Sequence, residues 1–303
     1  MSFPNPNITP PSLDDWQCWV NGLAIGAGTP YGSITYDGLF GEPASRMANA
    51  PKALASGEFK GYSLRGGRDL SITGDAISDG TSLVHALMEL GSATPTEGNV
   101  EYPFYIQLPG FPLLSSMLQA VDRVIPLDIA ASLGLANIAV LFHSTDSVLY
   151  GAPSYSATVG MDNSVGGATF PWTFPLTFGA GGAWGGINAA NAGNVPMWPI
   201  LIVTGPCIDP AIENGSIPGG PALAFNGTLN PGDQLIINTM PGVHSVVLIT
   251  ADTTAGAPRR NWVIPGSQWF PINPGDNEIQ FTSGDPGHVD GTLTVQWADA
   301  YIL

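Results

Sequence analysis

Charge is what this chain has least of, and positive charge above all. Among 303 residues there are 8 Lys and Arg against 24 Asp and Glu, for a net charge of −16. A protein that grips nucleic acid does so by neutralising phosphates, so this balance argues against general nucleic-acid binding. Charged residues of both signs make up 11% of the chain, where a soluble domain ordinarily has about a quarter. Cysteine is nearly absent: Cys18 and Cys207 stand far apart in sequence, which disfavours a disulfide framework and lacks the C-x-x-C spacing of a metal site. No apolar run approaches the ~18 residues of a membrane span. The first fifteen residues have neither a basic start nor an apolar stretch, so a secretory signal is not expected.

What is abundant is turn chemistry and apolar character. Gly (39) and Pro (28) are spread throughout, and hydrophobic residues make up 44% of the chain. Gly supplies positive φ and Pro pre-sets turn geometry, so this usage suits many short strands joined by tight turns. The length allows two cores of ordinary size. A surface so poor in charge is covered by Asn, Ser, Thr and Gly or is buried by neighbouring subunits.

Along the chain, residues 1–12 read as an extended Pro-rich arm. Trp19-Val20 and Leu23-Ala24-Ile25 flank Asn21-Gly22, the preferred pair of a type I′ hairpin. Strands are expected at Gly32–Tyr36, Leu70–Ile77, Pro103–Leu108, Val121–Leu127 and Ile138–Phe142. The best helix is Thr81–Gly91, with Thr or Ser as cap, Leu83, Leu87 and Leu90 on one face, and Gly91 as terminator. A Pro-initiated helical turn is expected around Pro112–Ala120. The domains read as 13–160, a crossover at 161–198 that carries Trp172 and Trp184, and 199–303. In the last of these, strands recur at Ile200–Thr204, Ala222–Thr228, Gln234–Asn238, Val243–Ile249, Asn277–Phe281 and Thr292–Leu303. The turns Pro231-Gly232-Asp233 and Asn273-Pro274-Gly275 set up the strands that follow.

Several stretches resemble distal tail proteins, the hub components at the tip of long non-contractile phage tails. In the first half they are Gly61–Gly74, which includes Gly67-Arg68-Asp69-Leu70-Ser71-Ile72-Thr73-Gly74, and Ile138–Tyr150, where Ser147 after Asp146 replaces a usual proline. In the second half they are Asn214-Gly215-Ser216-Ile217 through Phe225-Asn226-Gly227-Thr228-Leu229, Gly232-Asp233-Gln234-Leu235-Ile236-Ile237-Asn238-Thr239, and the run from Ser267-Gln268-Trp269-Phe270 to Asn277-Glu278-Ile279-Gln280-Phe281, followed by the strand Gly291–Trp297. Each motif alone specifies only turns and core faces, and the match lies in their order. The resemblance implies a mostly β fold of two domains: an N-terminal ring-forming β-sandwich or barrel with one or two short helices, and a C-terminal galectin-like β-sandwich. It further implies a structural protein of the virion tail tip, assembled in the host cytoplasm. Copies would form a hexameric ring that joins the tail tube, tape measure and tip or baseplate hub proteins and lets DNA pass without specific binding.

No catalytic constellation stands out, and no cofactor is expected. His85, His143, His244 and His288 are scattered without paired metal spacing. There is no G-x-S-x-G elbow, and the Gly-rich stretch 179–186 lacks the Lys-Ser/Thr of a phosphate loop. The Asp285–Gly291 loop has carboxylates for calcium but reads more simply as a polar hairpin. Basic residues say more. Arg46, Lys52, Lys60, Arg65 and Arg68 crowd into one segment, with Arg123 beyond it and Arg259 and Arg260 in the second half. The five are candidates for pairing with carboxylates of an adjacent copy, against the simpler reading of a solvated loop with weak local ion pairs. The acidic excess elsewhere suits a channel wall along which DNA slides. The alternative is a carbohydrate-binding module, with Trp172, Trp184, Trp198, Trp262 or Trp269 stacking on glycans of the host surface; Trp269 and Trp297 read as buried.

Overall fold

A computed structural model describes residues 9–77, 80–152, 154–161, 186–253, 255–284 and 290–303. The chain divides into two compact units. The first comprises residues up to Pro153 together with Tyr301–Leu303, and the second spans Ser154–Ala300. Strand Tyr155–Gly160, which the sequence reading places in the first domain, pairs with Thr292–Trp297 and so belongs to the second. Residues 1–8 of the expected arm, most of the crossover and residues 285–289 of the possible calcium loop lie outside the described residues.

The first unit is built on an antiparallel sheet ordered Leu23–Ile25, Cys18–Val20, Tyr102–Ile106, Leu113–Val124, Leu135–Ser144, Arg68–Ile77 and Tyr31–Asp37. The Asn21-Gly22 turn joins the first two as expected, with Val20 opposite Leu23 and φ of 44° and 97° at the turn residues. The segment Pro112–Ala120 is not helical: Leu113–Val124 is one long strand. It pairs with Tyr102–Ile106, Leu135–Ser144 and Leu149–Ala152. Hydrogen bonding to three neighbours outweighs the local signal of one proline, and Ser116, Leu118 and Ala120 alternate inward as a strand requires.

One helix, Gly80–Ala93, covers the sheet. Leu83, Ala86 and Leu90 enter the core with Ile72, Phe104 and Phe142, and Leu87 packs at its margin. The Tyr31 hydroxyl donates to Ala86 O at 2.7 Å. The helix passes Gly91 because its end is closed from outside. Arg123 Nη1 donates to Gly91 O (3.0 Å) and Thr94 O (2.9 Å), and Asn21 Nδ2 donates to Ala93 O (3.3 Å). Carbonyls satisfied by side chains do not need a glycine terminator.

The second unit is a galectin-like β-sandwich. One sheet runs Tyr155–Gly160, Thr292–Trp297, Ile200–Thr204, Gln234–Asn238, Ser245–Ile249 and Ala257–Pro258. The other runs Gly186–Asn191, Gly275–Ser283, Pro210–Asn214 and Ala222–Ala224. Leu201, Val203, Leu235, Ile237, Leu293 and Val295 are buried from the first, and Ile187, Ile212, Leu223, Ile279 and Phe281 from the second. Trp297 Nε1 donates to Ala190 O at 2.7 Å, tying the two sheets.

The loops are held by buried Asn and Asp. Asn277 Nδ2 donates to Asn273 O (2.7 Å) and Gly275 O (3.0 Å), while its Oδ1 accepts from Asn273 N (2.9 Å) and Asn214 Nδ2 (3.3 Å). Asp233 accepts from the backbone N–H of Asn230 (3.0 Å) and Ala251 (3.0 Å). These residues are the ones the sequence motifs single out at their turns, and their work is to satisfy loop backbone that would otherwise be orphaned.

Cys18 in the first unit and Cys207 in the second are fully buried and unpaired, and burial pushes each thiol up to about 12. Neither should react with a thiol reagent at pH 8 until its unit unfolds. The folded-state pKa is raised, so the stability this contributes is complete below about pH 9 and is lost as pH rises toward 12. Each thiol should then cost its unit about 1.4 kcal/mol per pH unit in that window. Reagent stoichiometry and urea midpoints at pH 8 and pH 10 check both statements.

Candidate functional site

Between the strands Tyr31–Asp37 and Arg68–Ile77 the chain leaves the first unit's core as a hairpin arm, residues 42–65. Two short ladders form it: Ser45–Met47 pairs with Ser63–Arg65, and Ala50–Pro51 pairs with Glu58–Phe59. The turn closes at Gly57 (φ 100°), with Lys52 N donating to Gly57 O at 3.1 Å. At Gly61 a side chain would drive into the Ala48 carbonyl, 1.9 Å from an ideal Cβ, so the strands approach closely there because Gly has none.

Nearly every residue of this arm is solvent-exposed. Among them are five large apolar side chains, Met47, Leu54, Phe59, Tyr62 and Leu64, with Leu54 fully exposed at the tip. A two-stranded ribbon is marginal in water by itself. One that shows this much apolar surface to solvent has the character of an interaction element. Arg46, Lys52, Lys60 and Arg65 against Glu42 and Glu58 make the arm net +2, leaving −18 on the rest of a chain of net −16. Four of the five sequence candidates thus lie on one exposed element. Arg65 Nε pairs with Glu42 Oε2 at 3.2 Å, and Lys52 lies 5.8 Å from the Phe59 ring centroid.

Arg68 does not join them at the surface. It is 3% exposed. Its Nη1 donates to Gly38 O (2.8 Å) and Leu39 O (2.7 Å), and its Nε donates to Ser147 O (3.1 Å). Burial lowers its pKa, while the carboxylates of Glu42 and Asp146 act in the opposite direction. The guanidinium therefore fastens the strand that leads into the arm, just before Glu42, to the strand that leaves it. Around it, Asp146 accepts from Val148 N (3.0 Å) and the Tyr150 hydroxyl (2.7 Å). Gly38 (φ 85°) and Gly67 leave room for the Asp69 and Ser144 carbonyls, 2.1 and 2.4 Å from where their Cβ atoms would stand. Two separate sequence motifs, the one at Arg68 and the one ending at Tyr150, thus meet at the arm's root. Gly41 N donates to Leu303 O at 2.6 Å, and Phe111 stacks edge-on with both Phe40 (6.4 Å) and Tyr301 (6.3 Å). Sequence reading found the cations of the arm but not its apolar residues. With charged and apolar positions interleaved and no alternation, nothing in the stretch signals a ribbon or marks its apolar side chains as exposed.

Elsewhere, no chemical constellation emerges among the described residues. His143 Nδ1 lies 2.7 Å from Asp69 Oδ1, and the exposed His85 Nδ1 lies 3.4 Å from Glu89 Oε1 one helical turn away. His244 stacks on Trp269 at 4.5 Å, and the Arg260 guanidinium lies over the same indole at 4.6 Å. Burial foremost and the Arg260 charge second lower the His244 pKa. Trp269 is half-buried, not fully buried as expected; Trp297 is buried. Trp262 packs against Gly227, where a Cβ would fall 2.5 Å from the ring, and Arg259 lies 5.6 Å from its centroid. These indoles are engaged by their own chain. Trp198 is half-buried, while Trp172, Trp184, His288 and residues 179–185 lie outside the described residues. No three His, Cys, Asp or Glu side chains come together in metal-binding geometry among the described residues. No described helix is long and apolar enough to cross a membrane.

Comparison with known proteins gives a consistent picture. Residues 192–301, most of the second unit, match the family model described as siphovirus-type tail component, C-terminal domain. Among solved structures the chain is similar to the Dit (gp 19.1) protein of phage SPP1, described as a paradigm of the hub adsorption apparatus in Gram-positive infecting phages. That likeness covers 95% of this chain and 99% of that one, with a TM-score of 0.60 at 13% identity. Chains of the phage P2 baseplate in its activated conformation are also similar: with Ca, TM-score 0.43 at 9% identity over 88% of this chain and 90% of that one; with Sr, 0.46 at 8% over 93% and 97%. No curated protein sequence matches. The likeness to SPP1 Dit shows that this chain has the Dit fold, and the family match falls within the sandwich and the strand that follows it.

Substituting Arg68 tests how the arm's root is held. Arg68→Ala should destabilise the first unit by about 3 kcal/mol by orphaning three carbonyls. Arg68→Lys should recover only part of this, since one ammonium cannot serve both loops. Urea midpoints of the two variants and the wild type measure it.

Proposed function

We propose that this chain is a structural distal tail (hub) protein of a long non-contractile phage tail. In this reading the first unit self-associates into a closed six-fold ring around the DNA channel. The ring joins the tail tube and tape measure proteins to the tip or baseplate hub, and the assembly forms in the host cytoplasm before it is part of the virion. The observation that carries the reading is the exposed arm 42–65, an apolar ribbon of net +2 on a chain that is otherwise −18. The siphovirus-type tail component match of the second unit and the Dit fold of the whole support it.

The charge distribution supplies the physics of association. Copies of net −16 repel one another at long range, so a ring needs contacts that reverse the sign locally or bury apolar area. The arm offers both. Its Arg46, Lys52, Lys60 and Arg65 are cations a neighbour's carboxylates can pair with, and its apolar residues gain free energy only when covered. A ring of such subunits presents to DNA a surface with few cations beyond those its own contacts occupy, which suits passage without sticking.

Light scattering on the purified chain at rising concentration should show closed species near six times 31.4 kDa. A monomer at every concentration would overturn self-assembly. Changing Arg46, Lys52, Lys60 and Arg65 together to Glu should give monomers that still unfold cooperatively, at a melting temperature lowered by no more than the lost association accounts for.

A further inference from the structure

The first unit carries a second unpartnered apolar surface, at the other end of the strand that holds the arm. Strand Arg68–Ile77 begins at the arm's root and ends at Ile77, whose register partner on the next strand is Leu135. Both side chains are exposed, and just before Leu135 the chain displays Leu127, Ile129 and Leu133, exposed to 68, 85 and 85%. The turn Ile129–Leu133 is a formed element: Asp128 accepts from Ala130 N at 2.7 Å, and Gly134 closes it at φ 83°. Its apolar residues are therefore held outward by the fold. Beside them an open cavity of about 420 Å³ lies on the outer face of the sheet, between Val124, Pro126 and Asn137 and floored by Thr73 and Asp75.

The chemistry of this surface complements the arm. Its charges are Asp75, Asp122 and Asp128, and the one basic residue of the segment, Arg123, is turned onto helix carbonyls. The arm is apolar and net positive; the surface is apolar and acidic. Ten strand residues at ~3.3 Å each put the two roughly 30 Å apart. Neither is covered by the described residues of its own chain. A donor at one end of a subunit and an acceptor at the other make a heterologous, head-to-tail contact, the kind that closes into a ring or runs on as a filament rather than stopping at a dimer.

From these observations we infer that the apolar end formed by Ile77, Leu127, Ile129, Leu133 and Leu135 is the acceptor for the arm of a second copy of this chain. The inference rests on the self-assembly reading above and specifies the surface that assembly uses. Each subunit gives its arm to one neighbour and receives an arm from the other. Arm apolar side chains cover the acceptor and its cavity, and Arg46, Lys52, Lys60 and Arg65 meet the aspartates around it.

A complementation experiment separates this inference from the broader reading. One variant carries the arm reversal of those four cations to Glu and keeps a wild-type acceptor. The other carries Ile129→Asp and Leu133→Asp and keeps a wild-type arm. Each alone should remain a monomer by light scattering at concentrations where the wild type assembles. Mixed in equal amounts, they should form 1:1 heterodimers and nothing larger, because only one productive arm–acceptor pair exists between them. An acceptor variant that assembles like the wild type would overturn the inference while leaving the arm's role standing. An arm variant that also assembles would overturn both. Two monomeric variants that fail to associate when mixed would show that arm and acceptor do not meet. Melting temperatures check that each variant is folded, and Ile129→Ser with Leu133→Ser is the milder pair if the aspartates lower it. With the milder pair, at least a tenfold loss in assembly midpoint supports the assignment, and no shift overturns it.

Discussion

A guanidinium taken out of water loses several kcal/mol of solvation unless polar atoms replace it. Arg68 finds most of its replacement in the carbonyls of Gly38, Leu39 and Ser147, with Nη2 buried and without a partner among the described residues. That constraint brings three stretches of chain to one point: the entry to the arm, the exit from it, and the turn after strand Leu135–Ser144. The glycines at 38 and 67 follow from it, since backbone must pass within contact distance on both sides. So does the Asp146–Tyr150 bond, which fixes the turn that presents Ser147 O. The arm itself makes few contacts, and what gives it a defined origin is this buried charge.

The division of labour within the first unit is physical as well as topological. Helix and sheet bury a continuous core of Leu, Ile and Phe, and that core gives the unit its stability. The arm and the turn Ile129–Leu133 do the reverse, displaying Leu, Ile, Phe and Met to solvent on short, well-closed backbones. A chain with so few charges cannot build its contacts from ion pairs alone. In the assembly proposed above, apolar surface supplies adhesion, and the four cations of the arm, half of the chain's eight, set sign and orientation.

Much of the fold was legible because it rests on period-two burial and turn chemistry. Asn21-Gly22, Gly232 and Gly275 each occupy the positive-φ position their turn requires. Leu201/Val203, Leu235/Ile237 and Leu293/Val295 alternate as one buried face. The misreadings came where a distant partner decides. Leu113–Val124 is a strand because three neighbours hydrogen-bond to it, and Gly91 stays helical because Arg123 and Asn21 close the helix from other elements. The cations of the candidate site were visible as a cluster, yet sequence could not tell Arg68, which turns inward, from Arg65, three residues earlier, which does not. Strand direction alone separates them. The exposed apolar end at Ile77 and Leu127–Leu135 left no mark in sequence, because an exposed Leu and a buried Leu are written alike.

Tyr301–Leu303 belong to the first unit although the whole of the second unit is threaded between them and residue 153. Gly41, one residue before the arm, is bonded to Leu303 O. In the order of synthesis, the arm's root is therefore completed only after the whole sandwich has been made. A nascent chain exposes the ribbon long before residue 303 leaves the ribosome, but the contact at Gly41 waits for it. A chain cut short anywhere in the sandwich lacks that contact, so an incomplete product carries an altered root. The same threading means that the sandwich can be exchanged for another only as an insert spliced at both ends.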